Sequence, residues 1–126
     1  MLSLKRVTAL SVGLAALNAW IAWRLFTVEY LDEMNSLAGI YIGFARYAAA
    51  HWPHVGWWPL WFCGMPFANA YQPAFHLAVA GFSTLTGLSA ARAYHFVAGC
   101  AYCLGPVTLF WLVLRLSRSV WARPWR

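Results

Sequence analysis

The chain has 126 residues, of which 63% are hydrophobic and only 10% charged, and its formal net charge is +6. Soluble domains carry about 25% charged residues, so this composition excludes an ordinary water-soluble globular domain. It does not point to nucleic acid either. The nine Lys and Arg residues stand at the ends of apolar stretches instead of lining one polar face, where they read as topology signals and lipid-headgroup contacts.

In chain order, Lys5 and Arg6 precede an uncharged apolar run that ends at Arg24. Residues 7–26 would cover about 30 Å as a helix, the thickness of a bilayer core. The run is longer than a signal-peptide core and lacks a small-x-small cleavage site, so it reads as a retained first transmembrane helix. The basic flank places its start in the cytoplasm and the following loop, residues 27–73, outside.

The three acids of the chain, Glu29, Asp32 and Glu33, all fall at the start of that loop. Carboxylates there suit two kinds of chemistry, binding of a divalent metal or removal of a proton from a hydroxyl. The plain alternative is that they are solvated charges marking a translocated loop. Further on, Leu37, Ile40, Tyr41, Phe44 and Ala48 share one helical face, which predicts an amphipathic helix lying in the membrane interface. Residues 51–73 hold four prolines, Gly56, Gly64 and a crowd of tryptophans. Regular helix cannot run through that spacing, and tryptophan favours the membrane boundary.

Residues 74–91 and 93–114 are two further candidate spans, separated by Gly87-Leu88-Ser89 and Arg92, with Pro106 predicted to kink the last. The expected architecture is therefore an all-α membrane protein with about three transmembrane helices, an outer-side interfacial helix and a Trp/Pro-rich loop. One conflict arises. Three spans that start inside leave Arg115, Arg118, Arg123 and Arg126 outside, against the positive-inside rule. A re-entrant segment over 74–91 would remove it.

The order of these features resembles the opening of the GT-C glycosyltransferase superfamily. It is most similar to YfhO-like bacterial membrane proteins and to the membrane domain described as 6-pyruvoyl-tetrahydropterin-synthase-related. The resemblance rests on Asp32-Glu33, on Trp58-Pro59-Leu60-Trp61-Phe62-Cys63-Gly64-Met65-Pro66-Phe67, on Tyr71-Gln72-Pro73, and on Gly87-Leu88-Ser89 with Arg92. It implies an N-terminal piece of a larger bundle in a bacterial inner membrane, one that uses a polyprenyl-phosphate sugar on the outer face and is inactive as this piece alone. It also implies that Asp32 is the base or a metal ligand, with Glu33 beside it. Trp58, Trp61, Tyr71 and Gln72 would contact the substrate, and a divalent metal is a candidate cofactor. Some relatives carry an acid and a lysine just before the proline that opens the next helix; here the sequence reads Asn69-Ala70-Tyr71-Gln72-Pro73.

Two other classes fit parts of the sequence. A small accessory membrane protein without chemistry needs no site at all. A membrane thiol oxidoreductase would use Cys100 and Cys103, which fall one helical turn apart, although buried apolar cysteines explain the pair more simply. His51, His54, His76 and His95 show no spacing that demands a haem or metal.

Overall fold

The computed structural model describes residues 4–32, 36–60 and 63–121. They form helices α1 (Leu4–Ile21), α2 (Trp23–Thr27), α3 (Ser36–His51), α4 (Pro73–Thr86) and α5 (Ala90–Trp121). Between α3 and α4 lie two short strands, β1 (Trp57–Trp58) and β2 (Met65–Pro66), and a 3-10 turn (Phe67–Asn69). Glu33 and Trp61 lie outside the described residues. The chain divides into two compact units, one of Met1–Trp23 with Gly99–Arg126 and one of Arg24–Ala98.

In the first unit α1 meets the later part of α5. The Trp111 Nε1–H donates to Ser11 Oγ over 2.8 Å, and the Ser11 hydroxyl donates to the Val7 carbonyl. Asn18 satisfies its amide on the Leu14 carbonyl. The side chains of Thr8, Ser11 and Asn18 thus each bond a carbonyl one turn back in α1. Large apolar side chains point outward instead: Leu10, Val12, Leu17, Trp20 and Ile21 from α1, and Leu109, Leu112, Val113 and Leu116 from α5 are exposed. A soluble protein would not leave so much apolar surface to water.

Among the described residues one helix is long and apolar enough to cross a membrane, α5 over Ala90–Ser117, with mean hydropathy 1.9. Pro106 removes one backbone donor, yet α5 runs continuously through it. Three spans are not shown among the described residues. The first expected span is divided by a turn at Ala22 into α1 and α2, and α1 carries Lys5, Arg6 and Asn18 within its 18 residues. The second is α4, which has 14 residues and covers about 21 Å, short of the ~30 Å hydrocarbon core.

The end of α4 explains its length. Gly87 adopts a left-handed conformation, φ 71°, and its N–H closes on the Ser83 carbonyl. The Ser83 hydroxyl then donates to the Leu88 carbonyl over 2.7 Å. Glycine takes this conformation without the strain of a Cβ, which makes it a natural helix stop. Ser89 starts α5 at once, its Oγ accepting from the Arg92 N–H, the usual work of a serine at a helix N-cap.

The second unit is built around α3. The expected face is packed at Phe44 and Ala48, which are buried with Trp58, Phe67, Ala70 and Ala80. A second face is packed as well: Ala45 meets Val79 and Ala93, and Ile42 meets Ala90 and Ala91. So α3 is an internal helix of its unit, covered on two sides, and not a helix with a single buried stripe. Small residues at the contacts let the backbones come close.

Candidate functional site

Three groups of residues bear on function: the acidic turn after α2, the aromatic loop between α3 and α4, and the turn that opens α4. All belong to the second unit.

Asp32 lies in the turn after α2 with its side chain 91% exposed. Its Oδ2 is 3.6 Å from Arg24 Nη2, and the arginine is itself 62% exposed. A pair so solvated is worth at most about 1 kcal/mol, so the carboxylate is held loosely and stays accessible. Two residues earlier, the Tyr30 hydroxyl accepts from Arg46 Nη2 over 3.4 Å. Arg24 and Arg46 therefore both reach the 30–32 turn, one from α2 and one from α3. By sequence alone Arg24 and Arg46 are grouped with the other cations as topology signals and lipid-headgroup contacts. A usable signal was present, since Arg46 is the one Lys or Arg within residues 25–91.

The aromatic loop is a small hairpin. Trp57 pairs with Pro66 and Trp58 with Met65 in antiparallel register, and the Tyr47 hydroxyl donates to the Trp57 carbonyl. Trp58 is 4% exposed. Its ring lies 4.4 Å from Phe44 and meets Tyr47 edge-on at 5.1 Å. Trp58 thus offers no open face for stacking on a sugar, as the resemblance implied it would. Its burial comes from the pleat, which turns it inward and leaves Trp57, at 53%, outward. Trp52, at 68%, is the other exposed tryptophan of the loop among the described residues.

Tyr71 and Gln72 are both exposed. Tyr71 stacks on Tyr41 at 6.5 Å and 23°. Gln72 is left-handed, φ 58°, and is followed by Pro73 at the first position of α4. Proline there needs no hydrogen-bonded N–H and presets the helical φ. The Gln72 carbonyl accepts from the Phe75 N–H.

Behind this turn is a residue the sequence did not single out. His76 is fully buried, its Nε2 2.8 Å from the Tyr71 carbonyl oxygen. Its ring packs with Tyr41 at 5.1 Å and Phe44 at 5.0 Å. His76 Nδ1 and Trp58 Nε1 are buried without a hydrogen-bond partner among the described residues. Burial lowers the His76 pKa below its ordinary value, against the opposing effect of the Tyr71 bond. His95, in contrast, closes its Nδ1 on the Ala91 carbonyl.

A cavity of about 260 Å³ opens between α3 and α4, lined by Ala48, Ala49, Trp52, Leu77, Ala80, Gly81, Thr84 and Leu85. It is almost wholly apolar and holds none of the expected site residues. Cys63, Cys100 and Cys103 are free thiols, Cys103 buried and Cys63 exposed. Among the described residues no three His, Cys, Asp or Glu side chains come together to hold a metal. Asp32 thus offers one carboxylate without a closed protein ligand set, and a magnesium site would need substrate phosphate or water for the remainder.

Comparison with known proteins gives no match to a family model, to a curated protein or to a solved structure.

Proposed function

We propose that the chain is the N-terminal membrane segment of a GT-C-like glycosyltransferase that takes its sugar from a polyprenyl-phosphate donor at the outer membrane face. The observation that carries the reading is Asp32, an exposed carboxylate just past the first apolar helices, with Arg24 beside it and Arg46 reaching Tyr30 two residues earlier, in a chain with three acids. In the proposed step, Asp32 takes the proton of an acceptor hydroxyl. The oxygen then attacks the anomeric carbon, and the bond to the phosphate oxygen breaks. Arg24 and Arg46 supply positive charge for the departing phosphate. Tyr71 and the exposed Trp57 are the aromatic faces left for a sugar or prenyl chain.

The same proposal places the later part of α5 across a bacterial inner membrane and adds as a second span α1, whose 18 residues cover about 27 Å. About 20 residues suffice to cross, which Ala90–Ser117 exceeds. We read α4 as staying on the outer side, because it is too short to cross. Two spans starting inside then return the terminal arginines to the cytoplasm, as the positive-inside rule asks. Conflict between three spans and those arginines disappears without any added segment.

A second reading, an accessory membrane protein without chemistry, draws on the apolar lining of the α3–α4 cavity, which holds no group able to act on a substrate. One experiment separates the two. Membranes containing the protein with its natural continuation are assayed for sugar transfer from a radiolabelled polyprenyl-phosphate sugar. Asp32→Asn should cut turnover by about 10²–10⁴-fold, the usual range for a lost general base, while Glu29→Gln changes little. Full activity of correctly inserted Asp32→Asn would remove the catalytic assignment.

A further inference from the structure

We propose that His76 is a proton-sensitive latch that positions the Tyr71–Gln72 turn at the start of α4: neutral His76 holds the turn closed, and proton uptake at Nδ1 releases it. A carbonyl oxygen can only accept, so the 2.8 Å contact with Tyr71 fixes the proton of the neutral ring on Nε2. Nδ1 is then a bare lone pair, buried and without a partner among the described residues.

The surroundings offer the Nδ1–H of an imidazolium no acceptor among the described residues. The ring contacts of His76 among the described residues are Tyr41 and Phe44 from α3, Phe67 from the 3-10 turn, and Phe75 from its own helix. Tyr41 is the one titratable group of these. From α5, Tyr94 packs on Tyr41 and Phe75. No carboxylate, lysine or arginine is among these contacts. An imidazolium would therefore be both buried and unpaired, an arrangement that proteins avoid by moving or neutralising the group.

The cost of leaving falls on the turn. Gln72 is held at φ 58°, a conformation unusual for a residue with a side chain, and its side chain makes no cap hydrogen bond. The Tyr71 carbonyl is tied by His76, and the Tyr71 ring lies on Tyr41. Losing the His76 bond leaves the Tyr71 carbonyl without its donor, one residue before the strained position. A phenylalanine at 76 would fill the same aromatic cage but make no such bond.

The sign follows from burial. The folded protein binds the His76 proton more weakly than the unfolded chain. Stability from the neutral ring is thus fully present above the ordinary value of about 6.5 and is lost as pH falls through and below it, toward the lowered folded value. The inference rests on the packing of the turn and stands whether or not the protein transfers sugar.

The test uses the chain in lipid nanodiscs with its native cysteines replaced by alanine. A nitroxide is attached at Ala74→Cys, an exposed site in the first turn of α4, or at Leu85→Cys, exposed at the far end. Labels are attached at neutral pH and spectra are then recorded from pH 8 to 4.5. The expected result is a mobile component at position 74 that grows as pH falls below the ordinary histidine value, no change at position 85, and no transition at 74 when His76→Phe is added. A flat profile at 74, the same transition in His76→Phe, or loosening of both labels together would each overturn the latch. Nitrogen-15 spectra of the unsubstituted chain check the tautomer independently of any variant. His76 should carry its proton on Nε2 at pH 7.5, and a proton on Nδ1 there would equally overturn it.

Discussion

Gly64 lies against the indole of Trp57. At φ 102° it has the backbone of a glycine, and a Cβ built on it would stand 2.7 Å from Cε2 and Cζ2 of the ring. The glycine lets the chain from Cys63 turn back beneath β1, so that Met65 can pair with Trp58.

Gly64→Ala should therefore destabilise the hairpin by two routes, left-handed strain and displacement of Trp57. Strain of this kind costs about 1–3 kcal/mol. Unfolding followed by tryptophan fluorescence in mixed detergent micelles should show a loss in that range, with a shift in Trp57 emission. Unchanged stability would mean that the ring moves aside freely.

The bond from Trp111 to Ser11 joins α1 to α5 within the first unit. A double-mutant cycle with Ser11→Ala and Trp111→Phe should give a coupling of about 0.6 kcal/mol, the mean for such bonds between membrane helices. Strict additivity of the two single variants would show that the bond contributes nothing in lipid.

Ser89 caps α5 through the Arg92 N–H. Ser89→Ala should lower stability by about 1 kcal/mol, and Ser89→Gly by only a few tenths. Reversible unfolding in the same detergent system measures both. Equal losses for the two variants would argue against a capping role.

How much of this was legible beforehand differs between elements. The stripe from Leu37 to Ala48 located α3 to within three residues of Ser36–His51, because helical spacing of apolar residues survives in any solvent. It did not show that Ile42 and Ala45 are buried too. In a lipid-facing chain nearly every position is apolar, and the contrast that marks a second buried face is lost. The prolines and glycines of residues 51–73 excluded regular helix, correctly, but hid a hairpin whose strands are two residues each. Gly87 was read as a break, yet the span was drawn past it to 91. Hydropathy continued where the backbone had already turned.

The candidate site was legible only in part. Asp32 stood out because acids are so scarce, and its exposure agrees with either a catalytic or a boundary charge. Trp58 and Trp57 are neighbours of the same type, and only the register of the hairpin decides which one faces inward. His76 gave no signal at all, since a single histidine in an apolar helix has no period. Its role depends on Tyr71, five residues earlier, being brought back over the ring by the left-handed turn at Gln72.

The central claim about architecture is that α4 does not cross the membrane, so that the chain has two spans and not three. Cysteine mapping at Leu85, which is 88% exposed, tests it most directly. In cells expressing Leu85→Cys, with the native Cys100 and Cys103 replaced and Cys63 kept as the outer-side reference, a membrane-impermeant thiol reagent is added to intact cells. The account predicts that Leu85→Cys and Cys63 are both labelled from outside. Labelling of Leu85→Cys only after the cells are broken open, with Cys63 labelled throughout, would show that α4 crosses and would contradict it.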